Sequence, residues 1–482
     1  MALPYVETLE RRQLLAGVTL LTHGRTGHLW GFNETAADAI TKHLGGPSHV
    51  ARYVLTLTPD ASDGHLVPSI AHVAGTGITT NASSGEVILL VDWTSVDANV
   101  DYSLGTVAGV ISDYMRNTPV DGVRLAELPL HAISISRGTG LIDEIAKSLG
   151  KSGVWVDQLT YTDPNPVGVM GDAPPTVYDN VAFVDNYWRW DGNPNNVSTN
   201  GRPVDGAYNL HIQWVDDLSN GWALDHLIPA GYYVGTIDTS TNNGGEGPIY
   251  ADWYGNTPDK PARDQTGFIY TSIDGAARPL QGVWGASGGS GTRTATGQDG
   301  PQWANVTDVR LLNGTTIVAG QQVQIQYLQQ DRDGNSTVTF YLDNNTNPYD
   351  SAFAYTIGQA EHQSAGAPTA AQTTGFTNGV ASGDYWVTAK ITDADGHVRF
   401  TYGEKVSVSG VSQPPPDPDP DPDPDPNPPP SGGSTSSNGV LRINGTDGDD
   451  LIGLSQSKST PDRLMVTING VRTKYKLSNF KS

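Results

Sequence analysis

Three residues in one chain order could carry out nucleophilic acyl transfer: Ser136, Asp163 and His226. Ser136 lies in Ser134-Ile135-Ser136-Arg137-Gly138, a nucleophile-elbow pattern with serine in place of the first glycine. Small residues flank such a serine because the strand-to-helix turn is sharp and the backbones on either side approach closely. The turn lifts the hydroxyl above a sheet edge and sets a helix N-terminus behind it, which favours developing negative charge. Asp163 follows 27 residues later, across one expected helix, at the end of the next expected strand. The base must come later still, and His211 and His226 are the two histidines placed to serve. His226 sits in GWALDHLIP, which reads as a loop, whereas His211 lies inside the alternating run YNLHIQW. That contrast favours His226.

The surrounding chain must bring these groups together. Residues 17–22 read as a first strand ending at His23-Gly24, and 33–44 as a helix with Ala36, Ala37, Ile40 and Leu44 on one face. Residues 52–58 alternate as a strand, and a polar loop is expected up to residue 85. Val87–Val91 is a continuous apolar run, as in a central strand covered on both sides, and Asp92-Trp93 ends it. A helix over 100–115, the elbow strand, a helix over 141–149 and a strand over 154–162 follow. Strands alternating with helices predict an α/β class with a mostly parallel sheet and helices on both faces. In such sheets ligands bind beyond the carboxyl ends of the strands. His23, Asp92, Ser136 and Asp163 all fall there.

The run Thr22-His23-Gly24, then Val91-Asp92-Trp93, then SISRG, then Thr162-Asp163-Pro164 resembles the α/β-hydrolase lipases, especially the pancreatic-type branch. The resemblance covers 17–164, and beyond it only Asp225-His226. It implies Ser136 as nucleophile, Asp163 as orienting acid, His226 as base, and the backbone N–H groups of Arg25 and Arg137 as the oxyanion hole. The chain departs from that pattern at Ser134 and at Ile135, where the family has glycine and histidine. Residues 9–15 (LERRQLL) are similar to the LEPR-x-LL signature of exported planctomycete proteins, which implies an extracellular or cell-surface location.

Composition narrows the classes further. The 482 residues contain no cysteine, so disulfides, thiolate-zinc sites and cysteine nucleophiles are excluded. With 28 Lys and Arg against 51 Asp and Glu, the chain would repel nucleic-acid phosphate. No stretch reaches the roughly 18 apolar residues of a membrane span. No cofactor and no metal are expected at the site. The expected partner is an ester or lipid substrate, and the C-terminal pieces suit contact with a cell surface or with glycans.

The expected organisation is a signature segment at 1–16, a hydrolase-like domain at 17–290 and a glycine-rich linker at 282–300. An Ig-like β-sandwich follows at 302–410, where about seven short alternating segments are spaced by Asp, Gly and Asn turns. Residues 411–438 contain a stiff Pro/Asp spacer, and 439–482 a small β unit. The function expected from all this is an exported lipase- or esterase-like serine hydrolase that works through an acyl-serine. The alternative is a catalytically silent fold that serves as a surface or adhesion module.

Blander roles stand beside the chemical ones. Ser136 could simply cap a helix, His131 could be a packed strand residue, and Arg137 a surface helix residue. The Trp and Tyr residues between 187 and 254 read as apolar cover over a loop-rich region. DRDGN (331–335) and DADGH (393–397) read as tight turns, and GTDGDDLIG (445–453) as a single calcium-roll-like repeat with no neighbour to stack on.

Overall fold

A computed structural model describes residues 17–27, 31–80, 86–190, 201–215, 225–240, 248–257, 259–268, 280–281, 284–285, 293–349 and 353–410. In the C-terminal part it describes 433–437, 440–444, 452–457, 460–468 and 471–479. The signature segment at 1–16, most of the 411–438 spacer and most of 445–453 lie outside the described residues. Two compact units divide the chain, Met1–Val411 and Ser412–Ser482.

The first unit is built on an eight-stranded sheet. Its strands are β1 (Val18–Thr22), β2 (Val50–Pro59), β3 (Leu66–Gly75), β4 (Glu86–Asp92), β5 (Leu130–Ile135), β6 (Val156–Thr162), β7 (Val181–Trp188) and β8 (Tyr208–His211). Their order is β3-β2-β4-β1-β5-β6-β7-β8, and every neighbouring pair is parallel except β2 with β3. The strands between the edges carry apolar residues on both faces, and helices cover both. On one face α2 (Leu104–Asn117) and α3 (Arg137–Lys151) pack Val107, Ile111, Leu141, Ile145 and Leu149 against Val18, Leu89 and Leu159. On the other, α1 (Phe32–His43) and α4 (Ile228–Ile237) pack Ile40, Tyr232 and Val234 against Leu21, Leu90 and Ile133.

A two-residue pair, β9 (Leu280–Gln281) and β10 (Trp284–Gly285), precedes two further sheets. One contains β11 (Asn305–Leu311), β13 (Gln322–Gln330) and β16 (Thr369–Phe376). The other contains β12 (Thr316–Val318), β14 (Ser336–Asp343), β15 (Tyr355–His362), β17 (Gly383–Asp393) and β18 (Val398–Ser409). Alternating residues such as Val323, Ile325, Val338, Phe340, Val387 and Ile391 fill the core shared by the two sheets. This sandwich belongs to the same compact unit. Arg399 Nη1 donates to the Trp155 carbonyl at 2.7 Å and its Nη2 to the Leu128 carbonyl at 3.1 Å. The second unit contains β19 to β23 (Gly433–Ser437, Val440–Asn444, Ile452–Ser457, Thr460–Ile468 and Val471–Lys476), all in antiparallel pairings.

The expected class, α/β with an α/β-hydrolase-type mostly parallel sheet and helices on both faces, is corrected. Strand outweighs helix by 42% to 21%, four α-helices occur among the described residues, and the largest sheet is mixed. The strand–helix alternation that suggests the α/β class ends with α4 at Ile237. Part of that stretch also differs, because the expected loop before residue 85 contains β3, paired antiparallel to β2 over Leu66–Gly75. Every regular element described after residue 300 is a strand apart from a short final 3-10 turn. The glycine-rich 282–300 stretch is partly tied down: Arg293 Nη1 donates to the Val181 carbonyl at 2.5 Å, and Thr294 bridges to Tyr178.

Candidate active site

The parallel register brings the ends of β1, β4, β5, β6 and β7 to one sheet edge, so each residue just past a strand end becomes a neighbour of the next. Thr22 pairs with Val91 and with Ser134, Ile135 with Thr162, and Thr162 with Tyr187. His23, Ser136 and Asp163 follow those pairs directly, and Arg189 follows the last residue of β7.

Ser136 stands between β5 and α3 with φ 59° and ψ −130°. Non-glycine residues rarely adopt such angles, and they persist only where the surroundings impose them. Three backbone hydrogen bonds do so here. Ser136 N–H donates to the Thr162 carbonyl at 3.1 Å, and the Ser136 carbonyl accepts from Thr139 N–H at 3.1 Å and from Asn165 N–H at 3.4 Å. Although Ser136 occupies the N-cap position of α3, its side chain makes no capping bond. A helix-capping serine normally has extended backbone angles and an engaged hydroxyl, and Ser136 has neither.

The two departures from the lipase-like pattern have a local explanation. Ser134 is buried and its Oγ donates to the Thr22 carbonyl at 3.0 Å. A Cβ on Gly138 would lie 2.2 Å from that Oγ and 2.3 Å from the His23 carbonyl oxygen. Glycine at 138 therefore makes room for serine at 134. Ile135 is buried at the end of β5. Gly24 backs Ser136 just as closely, since a Cβ there would be 2.8 Å from Ser136 Cβ and 3.3 Å from its Oγ.

Asp163 and His226 meet, with Asp163 Oδ2 2.5 Å from His226 Nδ1. With Nδ1–H donating to the carboxylate, Nε2 is the acceptor nitrogen, as a general base requires. Asp163 is 1% exposed and sits at φ 51°. Its Oδ1 accepts from Arg189 N–H at 2.9 Å, and its own N–H donates to the Tyr187 carbonyl at 2.8 Å. Burial raises the Asp163 carboxyl above its ordinary value, and the hydrogen bond with His226 opposes that rise. A Cβ on Gly201 would lie 2.0 Å from Asp163 Oδ1, so the backbone at 201 closes over the carboxylate as no other residue could.

His226 is not in a simple loop. It belongs to a 3-10 turn, Asp225–Leu227, that leads directly into α4, a helix buried at every residue. Apolar packing on all sides of α4 fixes where the imidazole begins. His211, the other candidate base, ends β8 on the exposed side, and its ring stacks on Trp188 with centroids 4.0 Å apart.

Arg137 requires a correction, because its side chain is buried rather than on the surface. Nε and Nη2 hold Asp172 at 2.7 and 2.9 Å, Nη1 donates to the Asp97 carbonyl at 2.6 Å, and the guanidinium lies 5.4 Å from the Trp93 ring centroid. Its backbone N–H opens the first turn of α3. Arg25 lies exposed in the turn after His23-Gly24. Asp97, Asp172, Asn165 and Gly201 were not singled out by the sequence, as they lie in loops with no periodicity to mark them.

The blander roles also find their places. His131 is buried, with Nε2 2.9 Å from Thr160 Oγ1 and its ring stacked on Phe268. Asp92 Oδ1 accepts from the N–H and hydroxyl of Thr94. Tyr187, Tyr232, Tyr233 and Trp253 are buried in the core under α1 and α4, as apolar cover, while Trp190 remains half exposed. Asp331 Oδ1 accepts from the N–H groups of Asp333 and Gly334, and Asp393 Oδ1 from His397 N–H, which are turn-forming bonds. Among the described residues no helix is long and apolar enough to cross a membrane.

No protein-family model matches the sequence, and no curated protein matches it. Among solved structures, the sporulation control protein Spo0M from Bacillus subtilis is 15% identical over 22% of this chain and 49% of its own, with a TM-score of 0.15. β-Glucosidase 3B from Thermotoga neapolitana, in complex with glucose, is 12% identical over 57% of this chain and 38% of its own, with a TM-score of 0.14. The chain thus spans half or less of the length of these proteins, and likeness this slight carries no argument about fold or function.

Proposed function

We propose that this chain is an exported serine hydrolase of carboxylic esters, lipase- or esterase-like, with Ser136 as nucleophile, His226 as base and Asp163 as orienting acid. The observation that carries the reading is the Asp163–His226 hydrogen bond at the strand end next to that of Ser136, a strained serine whose hydroxyl does not cap its helix. Ser136 Oγ attacks the ester carbonyl carbon while His226 Nε2 takes its proton. The tetrahedral oxyanion is received by the backbone N–H groups of Arg25 and Arg137, aided by the dipole of α3. His226 then protonates the departing alkoxide, and water releases the acid from the acyl-serine by the same steps in reverse. Asp163 holds the tautomer and stabilises imidazolium in a buried setting. Export is supported by the acidic composition and the LERRQLL segment.

The test is hydrolysis of p-nitrophenyl esters by the full chain. Activity lost in Ser136→Ala and His226→Ala but kept in His211→Ala supports the assignment. Activity that survives His226→Ala, or a folded wild type with none, refutes it and leaves a surface-binding module as the remaining account.

A further inference from the structure

Ser136 and Asp163 both have positive φ, 59° and 51°, and they follow the ends of neighbouring strands. Such angles are uncommon outside glycine and need support from what surrounds them. The loop that Asp163 begins, 163–172, returns to the elbow twice. Asn165 N–H donates to the Ser136 carbonyl at 3.4 Å, and the Asp172 carboxylate meets the guanidinium of Arg137, the residue after the nucleophile.

The second contact is the tighter one. Arg137 Nε donates to Asp172 Oδ2 at 2.7 Å and Nη2 to Oδ1 at 2.9 Å, a two-pronged pair with neither side chain more than 2% exposed. Asp172 Oδ2 also accepts from Val167 N–H at 3.1 Å, so the carboxylate gathers its own loop as well as binding the arginine. The guanidinium also reaches the loop after β4, where Nη1 donates to the Asp97 carbonyl at 2.6 Å and the Trp93 ring centroid lies 5.4 Å away. One side chain thus joins the elbow to the loops after β4 and β6.

Stability alone does not account for this arrangement. Taking a carboxylate and a guanidinium out of water costs about as much as their attraction returns, and apolar residues of similar volume often fill such a site equally well. What the forked arginine supplies, and an apolar side chain does not, is a fixed direction. Here that direction is imposed on the residue whose N–H is the assigned oxyanion donor and whose neighbour is the nucleophile.

We propose that Arg137, through its buried pair with Asp172, is the positioning residue of the elbow, setting Ser136 and the Arg137 N–H against the loop that carries Asp163; this rests on the hydrolase reading above. The guanidinium touches no reacting atom. It acts by holding backbone, so its loss leaves every catalytic group present but displaced.

The experiment compares the full-length wild type with Asp172→Asn and with the double variant Arg137→Met, Asp172→Asn. The double variant removes both buried charges together, keeps an acceptor for Val167 N–H and keeps the backbone donor at 137. Measured are the melting temperature, kcat and KM on a p-nitrophenyl ester, and the inhibition constant of a trifluoromethyl ketone, whose hemiketal with Ser136 carries the same oxyanion. The double variant should melt near the wild type, because no charge is left buried without its partner. Its kcat should nevertheless fall about 10²-fold with KM nearly unchanged, and ketone affinity should fall by a similar factor. A pair that served the fold alone would give a double variant with both stability and kcat intact. Asp172→Asn should show the same kcat–KM split with a smaller loss, and it decides the question if the double variant does not fold. Wild-type kcat in the folded variant, or a loss confined to KM, overturns this inference alone. A wild type that neither hydrolyses the ester nor binds the ketone removes the hydrolase reading and this inference with it.

Discussion

Asp163 Oδ2 and His226 Nδ1 lie 2.5 Å apart although 63 residues separate them in the chain. One group is set by a strand end in the central sheet, the other by a turn leading into a helix buried on all sides. A carboxylate 1% exposed beside an imidazole is costly unless the pair is used or fully satisfied.

Replacing Asp163 with Asn preserves shape but removes the acceptor that fixes the His226 tautomer. The expected result is a kcat loss on the order of 10⁴-fold. Thermal unfolding should move little, because burial already disfavours the charged form of this carboxyl. Steady-state kinetics and a melting curve on the same preparation check both parts.

Gly201→Ala is a sharper probe of geometry. Its new Cβ would meet Asp163 Oδ1 at 2.0 Å, so the carboxylate or the 201 backbone must shift. A displacement near 1 Å is expected to lower kcat/KM on the order of 10²-fold. An unaltered kcat/KM would show that the carboxylate position is not critical.

Asp143 gives a prediction about stability alone. It lies in α3, buried against β6, accepting from the Tyr161 hydroxyl at 3.0 Å and from Thr176 N–H at 3.1 Å. Burial raises its carboxyl well above the ordinary 3.8, and these bonds only partly offset that. The native state therefore keeps this proton to higher pH than the unfolded chain does. Stability from this group is present at low pH and is lost as pH rises from about 4 through the raised native value. The unfolding free energy of wild type minus that of Asp143→Asn should decline over that window in urea titrations. A difference that stays flat from pH 4 to 9 would contradict the assignment.

Arg399 ties the sandwich to the large sheet. Its guanidinium donates to Trp155, Asn305 and Leu128, and burial lowers its pKa to about 10 with Asp157 opposing. Arg399→Met leaves Asp157 and two carbonyls without that partner, and a loss of roughly 3–5 kcal/mol is expected. Unfolding monitored by Trp fluorescence would measure it.

Sequence and structure agree most where local pattern and tertiary role coincide. Val87–Val91 is apolar throughout because β4 is covered on both faces, and the elbow around Ser136 is marked by its small residues. β3 escapes the pattern because LVPSIAHVAG carries Pro68 and Gly75, both tolerated on an edge strand. α4 escapes it because IPAGYYVGTI combines two glycines with β-branched and aromatic residues, and complete burial overrides that weak helix propensity. The Arg137 side chain gave no sign of its burial, since its partners Asp97 and Asp172 come from loops on either side of it in the chain. The class departs from the α/β expectation because the strands after residue 300 outweigh the four helices among the described residues, and because the antiparallel β3 makes the large sheet mixed.

The most direct measurement is labelling of the folded full-length chain with a fluorophosphonate, followed by peptide mapping. The account predicts one adduct, on Ser136, absent in Ser136→Ala and strongly slowed in His226→Ala. A folded wild type that takes up no label, or takes it up at another serine, would contradict it.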